Sequence, residues 1–230
     1  SGPVLSPFTS LSLVLITGGR LAHKHLTRWP MPLTLAWNGI VIGGNLSNIM
    51  VQMSLPGIFL DSFPGLVPTS IMTSTGLILY CTVEILVIIR DTRHNTFIWD
   101  DILLYLALLP GGISFLGHLL GQQTYLSSPV DPRAGIGLLE TVLMAGLAAA
   151  AALSNRHLFL WRFLDSAPMA KVIFLALAAN LLLAPLAVGW WLQTTGKPLG
   201  IELFVMGAGV FATLVFLVVA EGKSRQKKVP

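Results

Sequence analysis

Residues 67–89 read VPTSIMTSTGLILYCTVEILVII, a run in which Glu84 is the only charged side chain. About 20 helical residues cross a hydrocarbon core of about 30 Å, so this run has the length and composition of a transmembrane helix. Six other stretches have similar character, at residues 4–19, 32–53, 99–121, 134–153, 172–194 and 199–220. The sequence therefore predicts an all-α polytopic membrane protein with seven transmembrane helices.

The composition agrees with a bilayer as the main solvent. Hydrophobic residues make up 54% of the chain and charged residues 10%, and the mean hydropathy is +0.77. The basic pI of 9.5 is attributed to contact with anionic lipid and not to nucleic acid, because no basic stripe is interleaved with aromatic residues. Cys81 is the only cysteine, which excludes a disulfide framework and a cysteine-based metal site.

The distribution of lysine and arginine predicts the orientation, because cytoplasmic connectors retain positive charge. Of the 14 basic residues, only Arg133 and Lys197 fall on one side of the seven stretches. The other 12 fall on the opposite side, at Arg20, Lys24, Arg28, Arg90, Arg93, Arg156, Arg162, Lys171, Lys223, Arg225, Lys227 and Lys228. An outside N terminus and a cytoplasmic C terminus are expected.

The chain divides into three parts on this interpretation. Residues 1–3, Ser-Gly-Pro, are typical of a protease-cleavage remnant from an expression tag. Residues 4–220 form the seven-helix transmembrane domain. Residues 221–230 form a basic cytoplasmic tail, and we expect it to lead into an output domain beyond Pro230.

A weak internal repeat is present in the first six stretches. The odd-numbered ones open near Pro7, Pro68 and Pro132, and proline suits the first turn of a helix. The pattern predicts three copies of one helical hairpin in parallel orientation around a shared axis, with the seventh helix closing the ring. The alternative is that prolines at helix starts are common in any polytopic protein.

Several short motifs resemble the N-terminal membrane region of bacterial sensor histidine kinases and diguanylate cyclases. They are the turn Asp165-Ser166-Ala167-Pro168, the element Pro185-Leu186-Ala187-Val188-Gly189-Trp190, the pair Thr195-Gly196, and the helix openings Pro7-Phe8-Thr9 and Pro68-Thr69. The resemblance implies a sensory input domain in the bacterial inner membrane. It also implies a homodimer whose last helix passes a stimulus to a cytoplasmic kinase or cyclase.

Polar residues within the apolar stretches are the candidate ligand site, because such groups are costly in lipid unless they are partnered or functional. His118 and Glu140 lie at similar depth on consecutive helices, so we expect them to be in contact. They are grouped with six other residues in a pocket that opens to the outside and takes a small apolar or amphipathic ligand: Asn45, Asn48, Gln52, Tyr125, Trp190 and Glu202. The alternative is a set of scattered interhelical hydrogen bonds without a cavity.

Two other features of the apolar stretches carry predictions. Gly39, Gly43 and Ser47 recur every four residues, a pattern typical of close helix packing. Pro110-Gly111-Gly112 and Pro185 are candidate helix breaks, which would favour a small transporter of repeated hairpins as the alternative function.

Enzyme activity is not predicted. The last helix has no lysine between Lys197 and Lys223, which argues against retinal, and no metalloprotease, serine-hydrolase or paired-carboxylate motif occurs. No cofactor or metal is expected either. A membrane enzyme or haem carrier is the third and least favoured alternative.

Overall fold

The computed structural model describes residues 6–25, 31–54, 69–91, 98–121, 136–154, 158, 161, 164–165, 168–195 and 201–226. These residues form seven α-helices: α1 (Pro7–His25), α2 (Met31–Ser54), α3 (Ile71–Asp91), α4 (Ile98–Leu120), α5 (Leu138–Ser154), α6 (Pro168–Thr194) and α7 (Ile201–Gln226). No strand occurs within the described residues. The predicted all-α fold is confirmed.

Two helices meet the length and hydropathy of a membrane span within the described part of the chain. They are Ile71–Ile89 of α3, with a hydropathy of 1.9, and Trp99–Leu120 of α4, with a hydropathy of 1.8. Two shorter apolar helical segments are Leu138–Leu153 of α5 and Phe204–Thr213 of α7. Length and composition thus allow these two helices to cross a bilayer.

The helices pack mostly against their neighbours in the sequence. α1 packs against α2, α2 against α3, α3 against α4, α4 against α5 and α6 against α7. α4 also contacts α6 and α7, so it is the central helix of the second half of the bundle. The apolar core of the first half contains Leu13, Val41, Leu77, Cys81 and Leu104, all buried.

The first helices of the three proposed hairpins share an interior. α3 contacts both α1 and α5. The seventh helix was expected to close a ring. Within the described residues α7 packs mainly against α6 and α4 instead. The main neighbours of α1 are α2 and α3. α6 and α7 are therefore packed on one side of the bundle, next to α4.

The prolines predicted near the helix starts lie at different distances from them. Pro7 is the first residue of α1, but α3 begins at Ile71, after Pro68, and is preceded by Ser70. Pro132 lies outside the described residues. The candidate breaks are continuous helix: α4 runs through Pro110 and α6 runs through Pro185.

The predicted packing face of α2 is wrong. Gly39, Gly43 and Ser47 are exposed, and a Cβ atom added at Gly39 or Gly43 would meet nothing within 4 Å. The close approach occurs instead at Gly44, where a Cβ would lie 2.8 Å from Cζ of Phe8 in α1. The helix turns its amides inward and its small-residue face outward, because Asn38, Asn45 and Gln52 lie on the buried side.

Candidate functional site

α1 and α3 begin with the same capping arrangement. The Ser6 hydroxyl accepts a hydrogen bond from the backbone N–H of Thr9 at 3.0 Å, and the Ser70 hydroxyl accepts one from that of Thr73 at 3.0 Å. Within each pair the two hydroxyl oxygens are 2.8 Å apart. A serine at the N-cap satisfies a backbone donor that the helix itself cannot pair, which explains why both helices start there.

The two capped helix starts are joined by hydroxyl contacts. Oγ1 of Thr69 lies 2.6 Å from Oγ of Ser6 and 3.0 Å from Oγ1 of Thr9. All of these side chains are buried. The N-terminal ends of α1 and α3 are therefore fastened to one another by a compact group of hydroxyls.

Glu140 completes this group from α5. It follows Gly137 at the spacing with which Thr9 follows Ser6, and its side chain is only 2% exposed. Thr9 and Thr73 lie beside its carboxyl group, while Oε1 has no hydrogen-bond partner among the described residues. A carboxyl group near helix N-termini is favoured by their dipoles, which offsets part of the cost of burial.

Three of the predicted site residues come from α2, and two of them, Asn48 and Gln52, contact the start of α3. Nδ2 of Asn48 donates to the Thr69 carbonyl and to Oγ of Ser74, both at 2.9 Å, and Nε2 of Gln52 donates to the same carbonyl at 2.6 Å. Nδ2 of Asn45 donates to the carbonyl of Val41 at 2.8 Å. The expectation that these amides face the protein interior is confirmed.

We name the residues that meet here the hydroxyl cluster: Ser6, Thr9, Asn48, Gln52, Thr69, Ser70, Thr73 and Glu140. It joins α1, α2, α3 and α5 at the end of the bundle that the charge distribution predicts to be outside. Its hydroxyl members were missed in the sequence. The signal that identifies them is Ser-x-x-Thr at residues 6–9 and again at residues 70–73.

The predicted contact between His118 and Glu140 is wrong. Nε2 of His118 lies 3.2 Å from the carbonyl oxygen of Ile136, just before α5, and the Ser114 hydroxyl donates to the same carbonyl at 3.3 Å. Glu140 is on the opposite side of α5, towards α1 and α3. Similar depth on consecutive helices thus did not place the two side chains on facing surfaces.

Of the remaining predicted site residues, Trp190 does not join the cluster. Trp190 is 70% exposed on the surface of α6. Tyr125 lies outside the described residues, as does the side chain of Glu202 in α7. The assignment of the eight residues to one ligand pocket stays a prediction.

A second polar group links α1, α3 and α5 towards their C-terminal ends. Nη1 of Arg20 in α1 lies 3.0 Å from Oε1 of Glu84 in α3 and also donates to the Tyr80 hydroxyl. Nη2 of Arg20 donates to the backbone carbonyl of Ala150 in α5 at 3.0 Å.

A half-open cavity of about 450 Å³ lies between α4, α5 and α7. Ten of its twelve lining residues have no polar side-chain atom; the complete lining is Tyr105, Leu108, Leu109, Gly111, Gly112, Phe115, Thr141, Val142, Met144, Ala145, Met206 and Val210. The volume falls within the range of about 300 to 1,000 Å³ typical of small-molecule sites. We call it the α4–α5–α7 cavity. None of its lining residues belongs to the predicted site.

Within the described residues, no group of three or more histidine, cysteine, aspartate or glutamate side chains is placed to hold a metal ion. Comparisons with protein-family models, with curated proteins and with solved structures find no match for this chain.

Proposed function

We propose that the chain is the membrane-embedded sensory domain of a bacterial signalling protein, and that all seven helices cross the inner membrane. The outer surface of the bundle supports this proposal. Large apolar side chains are also exposed on helices other than α3 and α4, among them Val14, Ile40, Met50, Leu175 and Phe204. Such a surface is stable in lipid and would be an aggregation hazard in water.

The proposed orientation is N-outside and C-inside. α1, α3, α5 and α7 all run in one direction, and 12 of the 14 basic residues lie near or beyond their C-terminal ends. Anionic lipid at the cytoplasmic surface favours positive charge at that level. On this assignment the hydroxyl cluster lies in the outer leaflet and Arg20 lies towards the inner one.

The observation that carries the sensory proposal is the position of α7. Met206 and Val210 of this last helix form one wall of the α4–α5–α7 cavity. Phe204 and Phe211 of the same helix are exposed on its other surface. A ligand in the cavity would therefore contact the helix that leads out of the bundle, without any intermediate element.

The proposed mechanism is a shift between two packings of α7 against α4 and α5. A ligand can shift that equilibrium only by its differential affinity for the two packings. Moving the ratio from 1:99 to 99:1 needs a difference of about 10⁴-fold in affinity. Because α7 forms part of the cavity wall, a bound ligand would contact α7 differently in the two packings, which is a direct source of such a difference.

The experiment uses the complete product of the gene, including whatever follows Pro230, reconstituted in nanodiscs. Kinase or cyclase output is measured for the wild type and for Ala145→Phe, which fills the α4–α5–α7 cavity from α5. The control is Ala149→Phe, because Ala149 is an exposed residue of α5 outside the cavity. We expect Ala145→Phe to fix the output at one level and Ala149→Phe to keep the response of the wild type.

The transporter alternative has less support. A carrier of this size is expected to have discontinuous helices at its binding site, whereas α4 and α6 continue through their prolines. Uptake of candidate substrates into proteoliposomes would separate the two functions. Measurable flux with no change in a signalling output would favour the carrier.

A further inference from the structure

The carboxyl group of the hydroxyl cluster has no cationic side chain beside it among the described residues. Glu140 is only 2% exposed. Arg20 is paired with Glu84 towards the other end of the bundle, α2 carries no charged residue, and His118 of α4 faces away from Glu140. An ionised carboxylate at this position therefore needs a counter-ion from outside the chain, because an unpaired charge within a lipid-surrounded bundle is costly.

Three oxygen-bearing side chains from three helices meet at this position. Thr9 of α1 and Thr73 of α3 lie beside the Glu140 carboxyl group of α5, and both threonines are completely buried. Oε1 of Glu140 has no hydrogen-bond partner among the described residues. Oxygen atoms, and carboxylates above all, are the ligands of hard cations. The hydroxyl cluster thus supplies the ligand atoms of a small cation site.

The outer hydroxyls of the cluster can orient the two threonines towards such an ion. The hydroxyl of Thr9 can donate to Oγ1 of Thr69 at 3.0 Å, and the hydroxyl of Thr73 can donate to Oγ of Ser70 at 2.8 Å. Each threonine oxygen then presents its lone pairs to Glu140. Lone pairs that face a carboxylate are stable only when a cation lies between them.

The charge of the site selects a monovalent ion. A monovalent cation neutralises the single carboxylate of Glu140. A divalent ion would leave a net positive charge beside the N-terminal ends of α1, α3 and α5, which are the positive ends of the helix dipoles. Because the site is buried, the ion binds without its hydration shell. The short spacing of the hydroxyl oxygens, 2.6 to 3.0 Å around Thr69, favours sodium over the larger potassium ion, and the opposing dipoles should keep the affinity in the millimolar range.

We propose that Glu140, Thr9 and Thr73 bind one dehydrated sodium ion between the starts of α1, α3 and α5. This site is separate from the α4–α5–α7 cavity and does not depend on the proposed sensory function. The expectation that no metal binds rested on the lack of cysteine, histidine and paired-carboxylate motifs, which a sodium ion does not require. In the proposed orientation the site lies in the outer leaflet, so sodium would enter from outside and fasten α5 to α1 and α3.

The test measures thermal unfolding of the purified chain in phosphatidylcholine nanodiscs by tryptophan fluorescence. Sodium chloride is replaced stepwise by choline chloride at constant ionic strength. We expect sodium to raise the unfolding midpoint saturably, by about 4 °C at about ten times its half-maximal concentration. Potassium should be clearly less effective at the same concentration. Lowering the pH should raise the half-maximal sodium concentration, because the ion and a proton compete for the same carboxylate.

Two variants test the ligands and two serve as controls. Glu140→Gln removes the charge and keeps the shape, so its midpoint in choline chloride should equal or exceed that of the wild type, and sodium should not change it. Thr73→Val should raise the half-maximal sodium concentration at least about fivefold, because one oxygen ligand is lost. Thr75→Val, which removes an exposed hydroxyl of the same helix, and Glu84→Gln, which neutralises the buried carboxyl group paired with Arg20, should keep the sodium-dependent shift.

Two results would overturn the sodium site. Equal midpoints in sodium chloride and choline chloride throughout the neutral and mildly alkaline range would show that Glu140 is neutral through protonation instead. A shift of equal size in Glu140→Gln, or with potassium, would show a general effect of salt. Both results would leave the sensory function standing, because Ala145→Phe tests that function at a different cavity.

Discussion

The Arg20 guanidinium of α1 lies 3.0 Å from the Glu84 carboxylate of α3, and the two residues hold the same position in two similar hairpins. Each lies 14 residues after a serine cap, Arg20 after Ser6 and Glu84 after Ser70. Opposite charges at equivalent positions on adjacent helices allow a pair at one depth. The pair offsets the cost of burying each charge in the bundle.

Breaking this ion pair from one side should be more damaging than removing it. Arg20→Met removes the guanidinium beside the mostly buried Glu84 carboxylate, so we expect a loss of about 3 kcal/mol in the free energy of unfolding. Arg20→Met combined with Glu84→Gln should recover a large part of that loss. Unfolding in mixed detergent micelles, followed by tryptophan fluorescence, gives both values.

The matched control is Lys171→Met, because Lys171 is exposed on α6. Its effect should stay within about 0.5 kcal/mol. If Arg20→Met were no more destabilising than this control, the link among α1, α3 and α5 would have no energetic weight.

The free energy of unfolding should fall by similar amounts when the hydroxyl cluster is changed in α1 and when it is changed in α3. Thr9→Val and Thr73→Val each remove a buried hydroxyl beside Glu140, and we expect each to cost about 1 to 3 kcal/mol because the carboxyl group stays buried. Thr75→Val is the control in α3, since the Thr75 hydroxyl is exposed and bonds only the carbonyl of Ile71 in its own helix. The same micelle unfolding measurement applies.

Changing all members of the contact should be milder than changing one. Thr9→Val and Thr73→Val together with Glu140→Leu replace the polar contact by an apolar one of similar size, and no buried carboxyl group is then left unsatisfied. A triple variant less stable than the Thr9→Val, Thr73→Val double variant would contradict this account of Glu140.

Adjacent glycines of α2 should differ in their tolerance of a methyl group. A Cβ at Gly43 meets nothing within 4 Å, so Gly43→Ala should stabilise the helix by up to about 1 kcal/mol. A Cβ at Gly44 would lie 2.8 Å from Cζ of Phe8, so the Phe8 side chain must shift and Gly44→Ala should be less stabilising than Gly43→Ala. Thermal unfolding of the two variants tests the observed orientation of α2. If Gly43→Ala were the less stable variant, the face of Gly39, Gly43 and Ser47 would be turned towards the bundle, as the sequence suggested.

The helices themselves could be predicted from the sequence, because long apolar runs bounded by charged and turn residues have few alternatives. The ends of the seven described helices lie within six residues of the ends of the predicted stretches. Which side of each helix faces inward was harder. In α2 the small residues favoured one face and the amides another, and the amides decided the orientation because buried amide groups need partners.

Contacts between helices could be predicted only where a repeat register was available. The prolines Pro7, Pro68 and Pro132 are spaced differently from Ser6, Ser70 and Gly137, the residues immediately before α1, α3 and α5. A repeat aligned on the prolines therefore does not pair Arg20 with Glu84. The α4–α5–α7 cavity was missed for another reason. It arises where α7 packs against α4, at residues distant in the sequence, and apolar residues carry no local signal of a cavity.

The orientation of the bundle is the prediction on which the signalling mechanism depends. Thr194 is exposed at the end of α6 and Ser224 lies near the end of α7, so cysteines at these positions report opposite sides of the membrane. In intact bacteria a membrane-impermeant maleimide should label Thr194→Cys and should label Ser224→Cys only after permeabilisation, because the basic residues around Ser224 favour the cytoplasmic side. The native Cys81 is buried, so the wild type should remain unlabelled and serves as the control. Labelling of Ser224→Cys in intact cells would place the end of α7 outside, where it could not drive a cytoplasmic kinase or cyclase.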